Sequence, residues 1–388
     1  MGFLHDSSRF LLLLVSIYLV RSSLSSSHRI KMTKQLLLVG GYSDEIHLLA
    51  LDKHHLYSIA SFPSGTNPTF LATLGNVLYA VNEVESGALE AFSFSPHHTS
   101  LTRLGHPAST CGADPAAISI HSSGKWILFA NYNGGSYGVL QVDHSRHHGV
   151  LLDHHQQPVS LIKVPGLTEP SNNPRQEAPH PHQIITDSSG KFVFVCDLGT
   201  DKIHTRVLNV STGKLDEAAA PEVSLEPGSG PRHFIFSRDE RFAYVINELA
   251  NSVSQLSYDP GNGALRLIQS WSTLDDSVAN KSACTAAEVA LSPDGRYLYA
   301  SNRGNAEDTI AVFGVDAEGD GGLTFLGLDR VGGSGPRHFA FDRSGEMVVV
   351  GLQNSNKVNV LSRNVETGRL SVVFSLDGVQ APSFIQFM

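Results

Sequence analysis

One pattern constrains this chain more than any other: two short apolar strands joined by a polar turn, recurring along its whole length. Three copies show it most fully. Pro231-Arg-His-Phe-Ile-Phe236 leads through Ser237-Arg-Asp-Glu-Arg241 into Phe242-Ala-Tyr-Val-Ile246. Ala286-Ala-Glu-Val-Ala-Leu291 leads through Ser292-Pro-Asp-Gly-Arg296 into Tyr297-Leu-Tyr-Ala300, and Pro336-Arg-His-Phe-Ala-Phe341 through Asp342-Arg-Ser-Gly-Glu346 into Met347-Val-Val-Val350. Apolar strands around Asp, Gly and Ser turn chemistry are hairpin signatures. Weaker copies stand at Pro68-Thr-Phe70, Pro115-Ala-Ala-Ile118, Pro181-His-Gln-Ile184 and Pro382-Ser-Phe-Ile385.

The seven anchors, Pro68, Pro115, Pro181, Pro231, Ala286, Pro336 and Pro382, recur about every 50 residues, the period of a propeller blade. Further strands complete most units, such as Thr309–Val315 with Leu323–Leu326, and Lys357–Leu361 with Leu370–Phe374. The expected fold is all-β: a seven-bladed propeller of four-stranded antiparallel blades. Leu36–Val39 resembles a second strand lacking its first, and Pro382–Phe387 a first strand lacking its second. The C-terminal strand is therefore expected to complete the first blade and close the ring, leaving no open edge. The interval between the third and fourth anchors is long; its stretch from Val142 to Ala178 holds His144, His147, His148, His154 and His155. It is expected to be a solvated loop; a metal site is the competing reading.

Composition narrows the function. A formal net charge of -9 argues against nucleic acid as a partner, because that affinity rests on a basic surface. Cys111, Cys196 and Cys284 form no C-x-x-C pair, so neither a zinc site nor a disulfide framework is indicated. The run Phe10–Val20 is too short to span a bilayer but suits a signal peptide. Residues 1–31 are accordingly expected to be a leader and linker, and 34–388 the propeller. Secretion follows if the leader is cleaved, a cytoplasmic location if translation starts at Met32. The sequons at Asn209 and Asn280 are compatible with secretion.

Hairpin geometry places charge. The start of an inner strand and the end of the second lie at one end of the sheet, so both sets of residues should ring one mouth of the channel. At the anchors these are His182, Arg232 with His233, Glu288, and Arg337 with His338; after the second strands they are Tyr42, Glu83, Tyr132, Leu198, Glu248, Arg303 and Gln353. Asn82, Asn131, Asp197, Asn247 and Asn302 precede several of the latter. Arginine suits bidentate recognition of carboxylate or phosphate, and a neighbouring carboxylate or imidazole can move a proton. The alternative assigns some of these groups, Glu83, His233, His338 and Arg337 foremost, to ion pairs that satisfy the inner strand ends.

At these residues the chain resembles the seven-bladed propeller lactonase family, which contains bacterial 6-phosphogluconolactonases and fungal carboxy-cis,cis-muconate cyclases. The resembling stretches are Pro179-His-Pro-His182, Gly230-Pro-Arg-His-Phe234, Tyr244-Val-Ile-Asn-Glu248, Ala286-Ala-Glu-Val289, Ser301-Asn-Arg-Gly304 and Gly335-Pro-Arg-His-Phe339. Gly351-Leu-Gln353 departs from the family's pattern in blade seven, and blades one to three match it weakly. The resemblance implies a site without metal or cofactor, in which His182, Arg232, Glu248 and Arg303 act on a small anionic lactone or muconate. Glu83, Glu288, Arg337 and Gln353 are expected around the substrate.

The leading expectation is hydrolysis of a sugar-acid lactone. Arg232 and Arg303 would hold the anion and the developing oxyanion, and either Glu248 or His182 would activate water. No G-x-S-x-G surrounds any serine, so a covalent serine mechanism has no support. The runner-up is a lactonising cycloisomerase using the same residues. A non-catalytic interaction propeller is a third reading, although neither Trp126 nor Trp271 precedes an Asp. A fourth, metal-dependent reading would use His180-x-His182 as ligands.

Overall fold

The computed structural model describes residues 34–95, 100–143, 149–152, 157–167, 173–304 and 308–388. The leader-like segment at 1–31 and the five clustered histidines from His144 to His155 lie outside them. Seven antiparallel sheets account for nearly all regular structure. Blades five, six and seven are single chain segments of four strands; blade five, for example, runs Pro231–Phe236, Phe242–Asn247, Ser252–Asp259 and Ala264–Ser272. Blade one is composite, as the terminal repeats imply: Pro382–Phe387 forms its inner strand against Gln35–Gly41.

The turn between the first two strands uses one device four times. The residue after the inner strand accepts the amide of the first residue of the second strand: Asp187 from Phe192, Ser237 from Phe242, Ser292 from Tyr297 and Asp342 from Met347, at 3.0 to 3.1 Å. A short polar side chain closing a turn on its own backbone is why Ser and Asp recur there.

Apolar side chains of the second and third strands pack between neighbouring blades. The seven large clusters each span one interface, among them Phe192 and Phe194 with Phe234 and Val245 between blades four and five, and Val39 and Leu49 with Val349 and Val360 between seven and one. The seam between chain ends is thus packed like every other interface.

One expectation is corrected. The segment 142–178 is not simply a loop, because Val150–Leu152 and Ser160–Lys163 both pair with Ser136–Asp143. They are the fourth strand of blade three, made in two pieces. Their brevity hid them from a pattern search. Among the described residues no helix is long and apolar enough to cross a membrane.

Candidate active site

Six of the seven inner strands, all but that of blade two, enter the channel wall with an irregularity that decides the site. Pro181 pairs with Asp197 and Gln183 with Cys196, leaving His182 as an extra residue. The same slip leaves out Arg232 between Pro231 and His233, Arg337 between Pro336 and His338, Ala116 in blade three and Ser383 in blade one. In blade six the slip falls between Ala286 and Val289, and so takes in Glu288. A bulge re-aims the side chain it carries, and His182, Arg232, Arg337, Ala116 and Ser383 all line one cavity at the mouth. The glycine before the Pro-Arg-His sequence belongs to this device. Gly230 and Gly335 hold φ of +62° and +77°, a conformation that L side chains rarely adopt.

Glu248 is the hub. Its Oε2 lies 3.0 Å from both Arg232 Nε and Arg303 Nη2, and its Oε1 accepts from Arg175 Nη2 at 3.0 Å. The Arg232 contact is ionic rather than a hydrogen bond, because Arg232 Nε is a buried donor without a hydrogen-bond partner. Arg303 Nε and His182 Nδ1 share that condition. Burial disfavours the Glu248 carboxylate charge, but Arg303, Arg232 and Arg175 outweigh it and pull the pKa down to about 2. His182 moves the other way for an imidazole: burial, then Arg232 and His233, hold its pKa well below 6.5, so it is neutral.

Across the mouth, Arg337 Nη2 donates to Tyr42 Oη at 2.9 Å, and Tyr42 donates to Glu83 Oε1 at 2.8 Å. Thr69 donates to the other Glu83 oxygen, and Arg337 Nη1 reaches Gln353 Oε1 at 3.5 Å. Blade seven therefore contributes through Arg337, with Gln353 behind it.

The floor is aromatic. Phe70 packs on Phe384 at 4.0 Å between ring centroids, His338 on Phe384 at 4.1 Å, and His182 on His233 at 5.1 Å. Glu288 lies outside the cavity lining; its Oε2 is 3.0 Å from His233 Nδ1 and 3.5 Å from His338 Nε2. The Ile385 amide donates to His338 Nδ1 at 3.2 Å, which assigns the proton of that ring to Nε2. Burial raises the Glu288 pKa and lowers that of His338 to about 4. Of the cavity, about 10 Å³ is open to the centre of a water molecule, room for roughly one water.

The family described as "Lactonase, 7-bladed beta-propeller" matches residues 36–387. The chain belongs to that family. The 6-phosphogluconolactonase of Bacillus subtilis is 33% identical over 366 residues, covering 92% of this chain and 99% of the relative. A crystal structure of a putative 6-phosphogluconolactonase from Bacteroides fragilis superposes with a TM-score of 0.82 at 31% identity, covering 94% of this chain and all of that one. The periplasmic gluconolactonase of Pseudomonas aeruginosa superposes at 0.80 with 29% identity, covering 92% and 99%.

Within this lactonase, His182, Arg232, Glu248 and Arg303 come together at one mouth, joined by Arg337, Glu83 and Gln353. Asn82, Asn131, Asp197, Asn247 and Asn302 are buried inside the blades rather than presented to the mouth; Asn302 Nδ2, for instance, donates to the Thr273 carbonyl at 2.9 Å. Among the described residues no group of three candidate metal ligands stands at His180 and His182. His180 stacks on Tyr132 at 4.5 Å and contacts the Tyr132 carbonyl and Glu177. Sequence reasoning missed Arg175, which lies in an irregular stretch with no strand to fix its direction. The one signal for it is its place seven residues before His182, in the same polar run.

Proposed function

We propose that this lactonase hydrolyses a sugar-acid lactone lying across the charged mouth, without a metal. The observation that carries the reading is the cation excess there. Arg175, Arg232, Arg303 and Arg337 face Glu248 and Glu83 in a protein of net charge -9. Arg232 and Arg337, which line the cavity, suit an anionic substrate and a developing oxyanion. The names of the relatives, 6-phosphogluconolactonase and gluconolactonase, agree with that chemistry.

In this reading one water occupies the small cup beside His182 and attacks the lactone carbonyl carbon. Its proton passes to the neutral His182 imidazole. The carbonyl oxygen gains the negative charge, which the guanidinium groups of Arg232 and Arg303 hold in place. The ring C–O bond then breaks, the imidazolium returns its proton to the departing ring oxygen, and an open hydroxy acid leaves. Glu248, with a pKa of about 2, is a poor base; its part is to orient three arginines.

Arg232→Ala and Glu248→Ala should each lower kcat/KM for lactone opening by about 100-fold or more. Unimpaired rates in both would remove the proposal. A chelator should leave the rate unchanged. Assaying the lactone and carboxymuconate on one preparation separates hydrolysis from cyclisation.

A further inference from the structure

We infer that His233, with Glu288 behind it, is a second proton acceptor at the cup and takes the proton that the newly formed carboxylic acid gives up. This rests on the lactonase reading and adds a step to it. Opening a lactone with water yields a hydroxy acid whose carboxyl is ionised at neutral pH. One proton of the attacking water ends on the ring oxygen by way of His182; the other has to leave the site. Arg175, Arg232, Arg303 and Arg337 favour the product carboxylate, so an acceptor for its proton is needed close by. His182 is engaged with the first proton, and its Nδ1 has no partner. His233 lines the same cavity, its ring centroid 5.1 Å from that of His182. Its Nδ1 lies 3.0 Å from Glu288 Oε2, and Glu288 is outside the cavity lining. Nε2 is therefore the nitrogen left to meet a proton from the cup.

Glu288, a positioning residue here, is held for this part. Its own amide donates to Ser301 Oγ at 3.0 Å, and the Val289 amide donates to its Oε1 at 3.1 Å. Its Oε2 faces two imidazoles, but His338 carries its proton on Nε2 and can only donate. Of the two rings, His233 is the one that can exchange a proton with Oε2. Arg232 Nη1 stands 3.4 Å from Nδ1 and 3.3 Å from Nε2 of His233. Being nearly equidistant it caps neither lone pair, and its own hydrogen bond goes to the Ala287 carbonyl at 2.7 Å. A cation so near opposes an imidazolium: burial, then Arg232 and Arg337, hold the His233 pKa well below 6.5, whereas burial raises that of Glu288. The proton is accordingly passed on rather than kept by the ring. The O–H bond of the new carboxylic acid breaks as an N–H bond forms at Nε2; the Nδ1–H bond breaks as an O–H bond forms at Glu288 Oε2. The imidazole ends neutral, and the proton returns to solvent water by the same route once the product has left.

The test follows kcat and KM of the full chain across the acid range, with gluconolactone and 6-phosphogluconolactone as substrates. The groups facing the pair are Arg232, Arg303, Arg337, Glu248, His182 and His338. The ionised form of Glu288 is the acceptor, so kcat is full above its raised pKa and falls as pH drops through it. Glu288→Gln should lower kcat about 100-fold, leave KM as it is and remove that acid limb. His233→Gln, whose amide can still donate to Glu288, should do the same and serves if the first variant fails to fold. Independently of turnover, nitrogen NMR of histidine-labelled protein should show His233 protonated on Nδ1 and bare on Nε2 at neutral pH, its signals identified by their loss in His233→Gln. A folded variant with full kcat overturns the inference. So does a fall in kcat whose acid limb stays in place, or a wild-type His233 protonated on Nε2. Turnover with these signatures absent sinks the inference alone; no turnover of either lactone, with Nδ1 protonated as expected, sinks the lactonase reading alone.

Discussion

Two side chains that look equally fit to activate water are separated by their surroundings. Glu248 faces Arg175, Arg232 and Arg303 and is ionised far below neutral pH. His182 is buried beside Arg232 and His233 and stays neutral where an ordinary imidazole would begin to protonate. The sign for catalysis follows. His182 works as the neutral base, and its pKa is lowered, so the active form persists as pH falls through 6.5. The kcat/KM profile should stay level through 6.5 and decline only well below it. A midpoint at or above 6.5 would assign the limiting proton to another group. None of this was legible in the sequence, where Glu248 and His182 are two proton-transfer candidates at one mouth. A pKa is set by neighbours that the chain brings from other blades.

At the scale of single strands, the site is made by bulges and its surroundings by pins. The Pro-Arg-His sequence carries both a strand start and the extra residue that turns into the channel. Hairpin reasoning placed Arg232 and Arg337 at the right end of the sheet. It could not say that the residue after the proline faces the channel, because an inserted residue reverses the alternation on which facing depends. The asparagines that end second strands do the opposite work. Asn302 is fully buried and holds the Thr273 carbonyl at 2.9 Å and Thr309 Oγ1 at 3.3 Å. Asn302→Ala should cost about 1–3 kcal/mol by leaving that carbonyl unsatisfied, measured as a shift in a urea unfolding midpoint. A change below a few tenths would show that the pin carries no weight.

For the whole molecule the decisive element is the strand Pro382–Phe387. It pairs with Gln35–Gly41, buries Phe384 and Ile385, and supplies the amide that fixes His338. Closure thus supports both the packing between blades seven and one and the floor of the site. A chain shortened to end before Pro382 should lose several kcal/mol, lowering Tm by about 10 °C or more for a domain of this size, and its lactone-opening activity with it. A melting curve unchanged by the truncation would refute the role given to the closing strand.

The sequence by itself determined the seven repeats, the composite first blade and the gathering of His182, Arg232, Glu248 and Arg303 at one end. Repetition and strand polarity are properties of chain order, and they survive any detail of packing. Tertiary structure alone decided which groups touch. It sent the asparagines inward, split the outer strand of blade three and brought Arg175 to Glu248 from an irregular segment. Distances, burial and charge balance belong to residues far apart in the chain, and local pattern carries no record of them.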